Sequence, residues 1–213
     1  MNVRTKLLIV LGLFLSPAAV LADEGRIDVT GPMTISTPGS YILVNDISAS
    51  FTGVFIDSSN VKLDLNGFTI SGGNDDGITI LPKHMNVEVT NGAVTRFSRH
   101  GVFVPGASPI SRNIKISRLR ISENKIDGIS MEGNTGFLID DCLISHNGGT
   151  GIYAFSSGLV LNNVINGNST GLFGAAAGTG RLGYRSNAFF SNSTNVSGGT
   201  NLGSNLCSGA ICP

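Results

Sequence analysis

Asp76, His100 and Asp127 each stand immediately before a glycine, and each glycine opens a short alternating apolar triplet. An imidazole between two carboxylates is a group suited to moving protons near neutral pH. Arg96, Arg99, Arg118, Arg120 and Lys125 fall in the same stretch, which makes it a zone of mixed charge. The plainer reading is that polar residues before a turn glycine satisfy one another's charges. Other constellations offer less. Asp75-Asp76 lacks the further oxygens that a calcium ion needs. Asp140-Asp141 sits on strand-like sequence, where successive side chains point oppositely and cannot converge. His84 and His146 have no partner at metal-ligand or triad spacing and are expected in solvated turns. No metalloprotease, nucleophile-elbow, P-loop or dinucleotide motif occurs. No metal and no cofactor is expected.

The elements that must hold these groups are visible as a repeat. Gly53-Val54-Phe55-Ile56, Gly77-Ile78-Thr79-Ile80, Gly101-Val102-Phe103-Val104, Gly128-Ile129-Ser130-Met131, Gly151-Ile152-Tyr153-Ala154 and Gly171-Leu172-Phe173 recur at intervals of 20 to 27 residues. A second short strand follows each of the first five: Val61-Lys62-Leu63, Val87-Glu88-Val89, Ile114-Lys115-Ile116, Phe137-Leu138-Ile139 and Leu159-Val160-Leu161. A third, weaker one comes around Phe68/Ile70, Leu119/Ile121, Cys142/Ile144 and Val164. Alternation sends Val, Ile, Leu and Phe to one side and Lys62, Glu88, Lys115 and Arg120 to the other. Three such strands per period describe a three-faced coil, and one coil can bury its apolar face only against the next. No helical period is sustained.

In that solenoid Asp76, His100 and Asp127 stack on one edge, about 4.8 Å apart. Asn91, Arg118, Asp141 and Asn163 fall in a corner column, where Arg118 and Asp141 are expected to pair across coils. Asn124, Asn147, Asn168 and Asn192 form another. Asn tolerates the left-handed backbone of sharp turns, and stacked amides hydrogen-bond along the axis. The sequons at Asn168, Asn192 and Asn195 are by-products of these turns.

The segments GSYILVNDI and GVFIDSSNVKLDLNGFTI, with the later N-x-x-x-G-I units, resemble bacterial right-handed parallel β-helix repeat proteins of the pectin-lyase-like superfamily. The resemblance spans residues 35–195 and implies an all-β, right-handed parallel β-helix of three short strands per coil and about 6–7 coils. The superfamily holds polysaccharide lyases, hydrolases and epimerases, but also adhesins, phage tailspikes and members with no known activity. Fold therefore does not settle function. Enzymes of this kind act on acidic glycans through a base and a cation that neutralises the substrate carboxylate, or through carboxylates set around the scissile bond. On that model Asp76, His100 and Asp127 are the catalytic candidates, and Arg99 and Arg118 the substrate clamp. The acid- and His-bearing motif of alginate epimerases and the paired-Arg motif of pectate lyases are both absent.

The first 22 residues have the layout of a secretory signal peptide: Arg4 and Lys6, then an apolar run from Leu7 to Leu15, then Val20-Leu21-Ala22. That run is too short to span a bilayer, so a soluble protein, periplasmic or extracellular and not inserted in a membrane, is expected. Residues 23–50 are read as an N-terminal capping strand region, 51–195 as the repeats and 196–213 as a tail. Cys207 and Cys212 are expected to form a disulfide loop in an oxidising compartment, with Cys142 left as a free inward thiol. Removing Arg4 and Lys6 with the leader leaves the chain slightly acidic, which argues against nucleic acid as a partner. The expected function is binding or surface scaffolding toward carbohydrate, a polysaccharide being the expected partner. The alternative is a small lyase, epimerase or hydrolase acting through the Asp/His/Asp edge.

Overall fold

A computed structural model of the chain describes residues 25–174 and 182–212; the expected signal peptide, residues 1–22, lies outside them. The described residues contain strands and turns and no helix. The strands wind into a solenoid of about seven coils with three parallel sheets running along it.

The first sheet holds the glycine triplets, running Met33–Ile35, Val54–Ile56, Ile78–Ile80 and Val102–Val104, then the leading parts of Ile129–Asp140 and Thr150–Leu161. Thr170–Gly174 and Thr194–Ser197 complete it. The second sheet carries the Lys62/Glu88/Lys115 row, in which Lys115 and Glu88 pair at 3.0 Å. The third includes Thr69–Gly72, Leu143–Ser145, Val164–Asn166 and Ala188–Phe190.

Inward columns are stacked like on like. Val54, Ile78, Val102, Ile129, Ile152 and Leu172 form one column of fully buried side chains, and Ile70, Val94, Ile121, Ile144, Ile165 and Phe189 form another. Burying each such side chain contributes roughly 1.5–3 kcal/mol against the chain entropy lost.

The repeat glycines are fixed by crowding between coils. A Cβ on Gly77 would lie 2.5 Å from the Gly101 carbonyl oxygen, one on Gly101 2.7 Å from that of Gly128, and one on Gly128 2.6 Å from that of Gly151. None of these glycines has a positive φ; the next coil simply leaves no room for a side chain.

Both ends continue the winding where the sequence hides it. Gly39–Leu43 and Ile47–Ala49 pair in parallel with Val61–Asp64 and Thr69–Gly72, so residues 33–49 already complete a coil. At the far end Thr200–Asn201 and Leu206–Cys207 extend the second and third sheets. Ala210–Ile211 then folds back antiparallel on Leu206–Cys207, and a Cys207–Cys212 disulfide ties the hairpin.

Two buried amide ladders hold the corners. In the first, the Asn147 Oδ1 accepts from the Asn124 N–H and Nδ2, and the Asn168 Oδ1 accepts the same pair from Asn147. Asn192 does this for Asn168. The left-handed residues are the ones just before the ladder: Glu123, His146, Gly167 and Ser191. The corner column needs a correction of one residue. Asn91, Arg118, Asp141 and Asn162 share a positive φ, while Asn163 points inward into a second ladder with Asn187 and Asn205. The expected Arg118–Asp141 pair does not form, because the Arg118 Nη2 donates to the Thr90 Oγ1 at 3.0 Å.

Cys142 stands at the head of that second ladder. Its backbone N–H donates to the Asn163 Oδ1, and its thiol faces the carbonyl oxygens of Asp140 and Ile116, as the Asn163 Nδ2 faces those of Leu161 and Ile139. Burial pushes this thiol from 9.0 up to about 12. The native protein is therefore expected to show no thiol reactive toward Ellman's reagent at pH 8, and one per chain in denaturant without reductant. Because the unfolded thiol ionises first, stability from this group is intact below pH 9.0. It falls about tenfold in the folded-to-unfolded ratio per pH unit up to about 12.

Candidate functional site

The expected edge exists, and its geometry follows from the turn before each first-sheet strand. Asp76, His100 and Asp127 are all buried, at 2%, 7% and 9% exposure. The Asp76 Oδ1 accepts the backbone N–H of His100 at 3.0 Å, and its Oδ2 accepts from the Thr79 hydroxyl at 3.3 Å. Two coils beyond Asp76, the Asp127 Oδ1 accepts the Thr150 N–H at 2.7 Å. Each carboxylate thus caps the turn of the following coil. The His100 Nδ1 lies 3.4 Å from both the Asp127 N–H and its Oδ2.

Arg99 belongs to this group. Its Nη1 sits 3.1 Å from the Asp75 Oδ1 and 3.8 Å from the Asp76 Oδ2, and its guanidinium lies 5.5 Å from the Phe103 ring centre. His100 stacks on the same ring at 4.9 Å. Asp75 is tied down further by the Thr52 hydroxyl at 2.9 Å. Arg118 is not among these groups: it turns the corner between the second and third sheets, against Thr90. No cluster of metal-ligating side chains occurs among the described residues.

The sequence reading missed the aromatic content of this face. The outward row of the first sheet runs Thr34, Phe55, Thr79, Phe103, Ser130, Tyr153, Phe173 and Ser197. Its four aromatics are half-buried, and Tyr153 and Phe173 stack at 5.1 Å with rings within 4° of parallel. The signal was present as the middle residue of each triplet. His84 is a correction of a different kind. It is buried rather than solvated, and its Nε2 meets the Asp57 Oδ1 of the preceding coil at 2.8 Å.

A family model described as a right handed beta helix region matches residues 52–207, and the chain belongs to that family. A search of curated proteins by sequence finds no match. Among solved structures the chain is similar to the periplasmic alginate epimerase AlgG, with a TM-score of 0.58 at 14% identity. The alignment covers 83% of this chain and 49% of that one, so the chain spans about half the length of AlgG. At this identity the likeness is one of fold.

Proposed function

We propose that this protein is an exported β-helix that binds an acidic polysaccharide along the outer face of its first sheet and does not cut it. The observation that carries this reading is the use made of the edge carboxylates. Asp76 and Asp127 each spend an oxygen on a backbone N–H one coil away and are almost fully buried. A carboxylate so engaged is a poor base toward a bound sugar. Beside it lie a half-exposed Arg99 and the Phe103, Tyr153 and Phe173 rings; Tyr153 and Phe173 are on adjacent coils, ~4.8 Å apart, and Phe103 is two coils before Tyr153, with Ser130 between them. Aromatic rings and a guanidinium are the groups that hold sugar rings and their carboxylates. The fold shared with a periplasmic alginate epimerase supports a carbohydrate ligand, and the leader-like first 22 residues support export.

One observation favours the catalytic alternative: His100, Asp127, Asp76 and Arg99 do converge. Calorimetric titration with pectate, alginate and hyaluronan tests the binding reading. Replacing Arg99 or Phe103 with Ala is expected to weaken binding about tenfold, equivalent to about 1.4 kcal/mol, with little change in melting temperature. Unchanged affinity in both variants would remove this face as the site.

A further inference from the structure

Away from that edge, the corner that follows the first sheet brings together an acid, an imidazole and a hydroxyl from two adjacent coils. Asp57 and Ser59 lie just after Val54–Ile56, and His84 lies just before Met85–Thr95. The His84 Nε2 sits 2.8 Å from the Asp57 Oδ1, and its Nδ1 sits 3.4 Å from the Ser59 Oγ. That oxygen also accepts the Met85 N–H at 3.1 Å. With an acceptor role already filled, the hydroxyl proton is free to point at Nδ1, while Asp57 holds the proton on Nε2. His84 is 7% exposed, so its ring is fixed by packing, whereas Ser59 and Asp57 are half-buried and reachable.

We propose that Ser59, His84 and Asp57 form an acyl-transfer site that hydrolyses esters of short carboxylic acids. The roles are those of nucleophile, base and orienting acid, which are recognised by geometry and not by chain order. A hydroxyl-to-imidazole distance at the long end is usual before substrate binds. The Ser59 Oγ attacks the ester carbonyl carbon as its proton passes to His84 Nδ1. The bond to the alcohol oxygen breaks, and that oxygen takes the proton from Nδ1. Water then attacks the acyl-Ser59 carbonyl, giving a proton to Nδ1 that returns to the Ser59 Oγ as the acid leaves. The sum is ester plus water to acid plus alcohol.

The Ser59 N–H donates to no protein group among the described residues and is available to the carbonyl oxygen as it gains charge. A cleft of about 350 Å³, lined by Asp57, Leu81, Pro82, Lys83, Ala107, Ser108 and Pro109 but by neither Ser59 nor His84, opens on the Asp57 side of the three groups. A substrate group that reaches past Asp57 meets this cleft, where exposed Lys83 favours one that carries negative charge. This site shares no residue with the first-sheet edge, so failure of polysaccharide binding leaves it untouched.

The test is p-nitrophenyl acetate hydrolysis by the mature protein, followed at the nitrophenolate absorbance, together with labelling by a fluorophosphonate probe and peptide mass spectrometry. Hydrolysis above buffer is expected, falling by about a hundredfold or more in Ser59→Ala and in His84→Gln, with probe mass on the peptide containing Ser59. The labelling uses the unaltered protein, so it stands even if a variant folds poorly. Hydrolysis no faster than buffer, hydrolysis undiminished by Ser59→Ala, or a label carried elsewhere would each overturn the proposal.

Discussion

Asn147→Ala is expected to lower the unfolding free energy by about 3–5 kcal/mol, because each buried polar group left unpaired costs roughly 1–3 kcal/mol. The Asn147 side chain is 2% exposed and stands mid-ladder. Its Oδ1 accepts two bonds from Asn124, and its Nδ2 donates to the Asn168 Oδ1 at 3.1 Å and to the Ile121 carbonyl at 3.3 Å. Truncation removes the partner of the Asn124 donors and of the Ile121 carbonyl together. Asn147→Asp retains the acceptor but sets a carboxylate oxygen against two carbonyl oxygens, so it should be no milder. Asn45→Ala is the control. That amide is exposed and, among the described residues, bonds only to the Thr30 and Asp46 carbonyls, and its loss should stay within about 1 kcal/mol. Because each coil touches only its neighbours, a break at Asn147 should also split the denaturation curve between the two halves. Equal midpoints for Asn147→Ala and Asn45→Ala in urea would refute the ladder as a source of stability.

Gly128→Val should destabilise at least as strongly, by about 3 kcal/mol or more, for a steric reason. A Cβ there meets the Gly151 carbonyl oxygen at 2.6 Å, Ile144 Cγ2 at 2.7 Å and Asn147 Nδ2 at 2.9 Å. Two of these contacts can give only by parting the coils: the first is backbone, and the third belongs to the ladder. Gly31→Ala provides the contrast, since a Cβ there meets nothing within 4 Å and φ is not positive. It should leave stability within about 1 kcal/mol of the parent, or raise it slightly by restricting the unfolded chain. Thermal unfolding followed by circular dichroism distinguishes the two, and a Gly128→Val protein as stable as Gly31→Ala would mean that the coil spacing is not set at this glycine.

The coil itself is legible in the sequence because its signal is local: a glycine, then an alternating triplet, then a second strand at a steady offset. The inward columns, the inward thiol of Cys142 and the strand period follow from that alone. What escapes is whatever depends on the neighbouring coil. His84 finds Asp57 27 residues back, and Arg118 finds Thr90 28 residues back, so spacing along one coil says nothing about either. The Asn163 column slips by one residue because Asn162 is also an asparagine, and only the backbone distinguishes the left-handed corner from the buried amide. At the C-terminal end the winding continues through Thr200–Asn201 and Leu206–Cys207, where few apolar residues mark it. The Asp76, His100 and Asp127 stack was legible as a column. Its cross-coil caps were not, and they are what weigh against proton transfer at that edge.

The most direct test of polysaccharide binding without cleavage is one titration read two ways. Pectate, alginate and hyaluronan are titrated into the mature protein by calorimetry, and each mixture is then followed for ultraviolet absorbance of new unsaturated ends and for product size. Saturable heat with at least one polymer, with chains recovered at full length and no new absorbance, is the predicted result. Shortened chains or rising absorbance, lost in His100→Ala, would contradict it and make the Asp76/His100/Asp127 edge an active site.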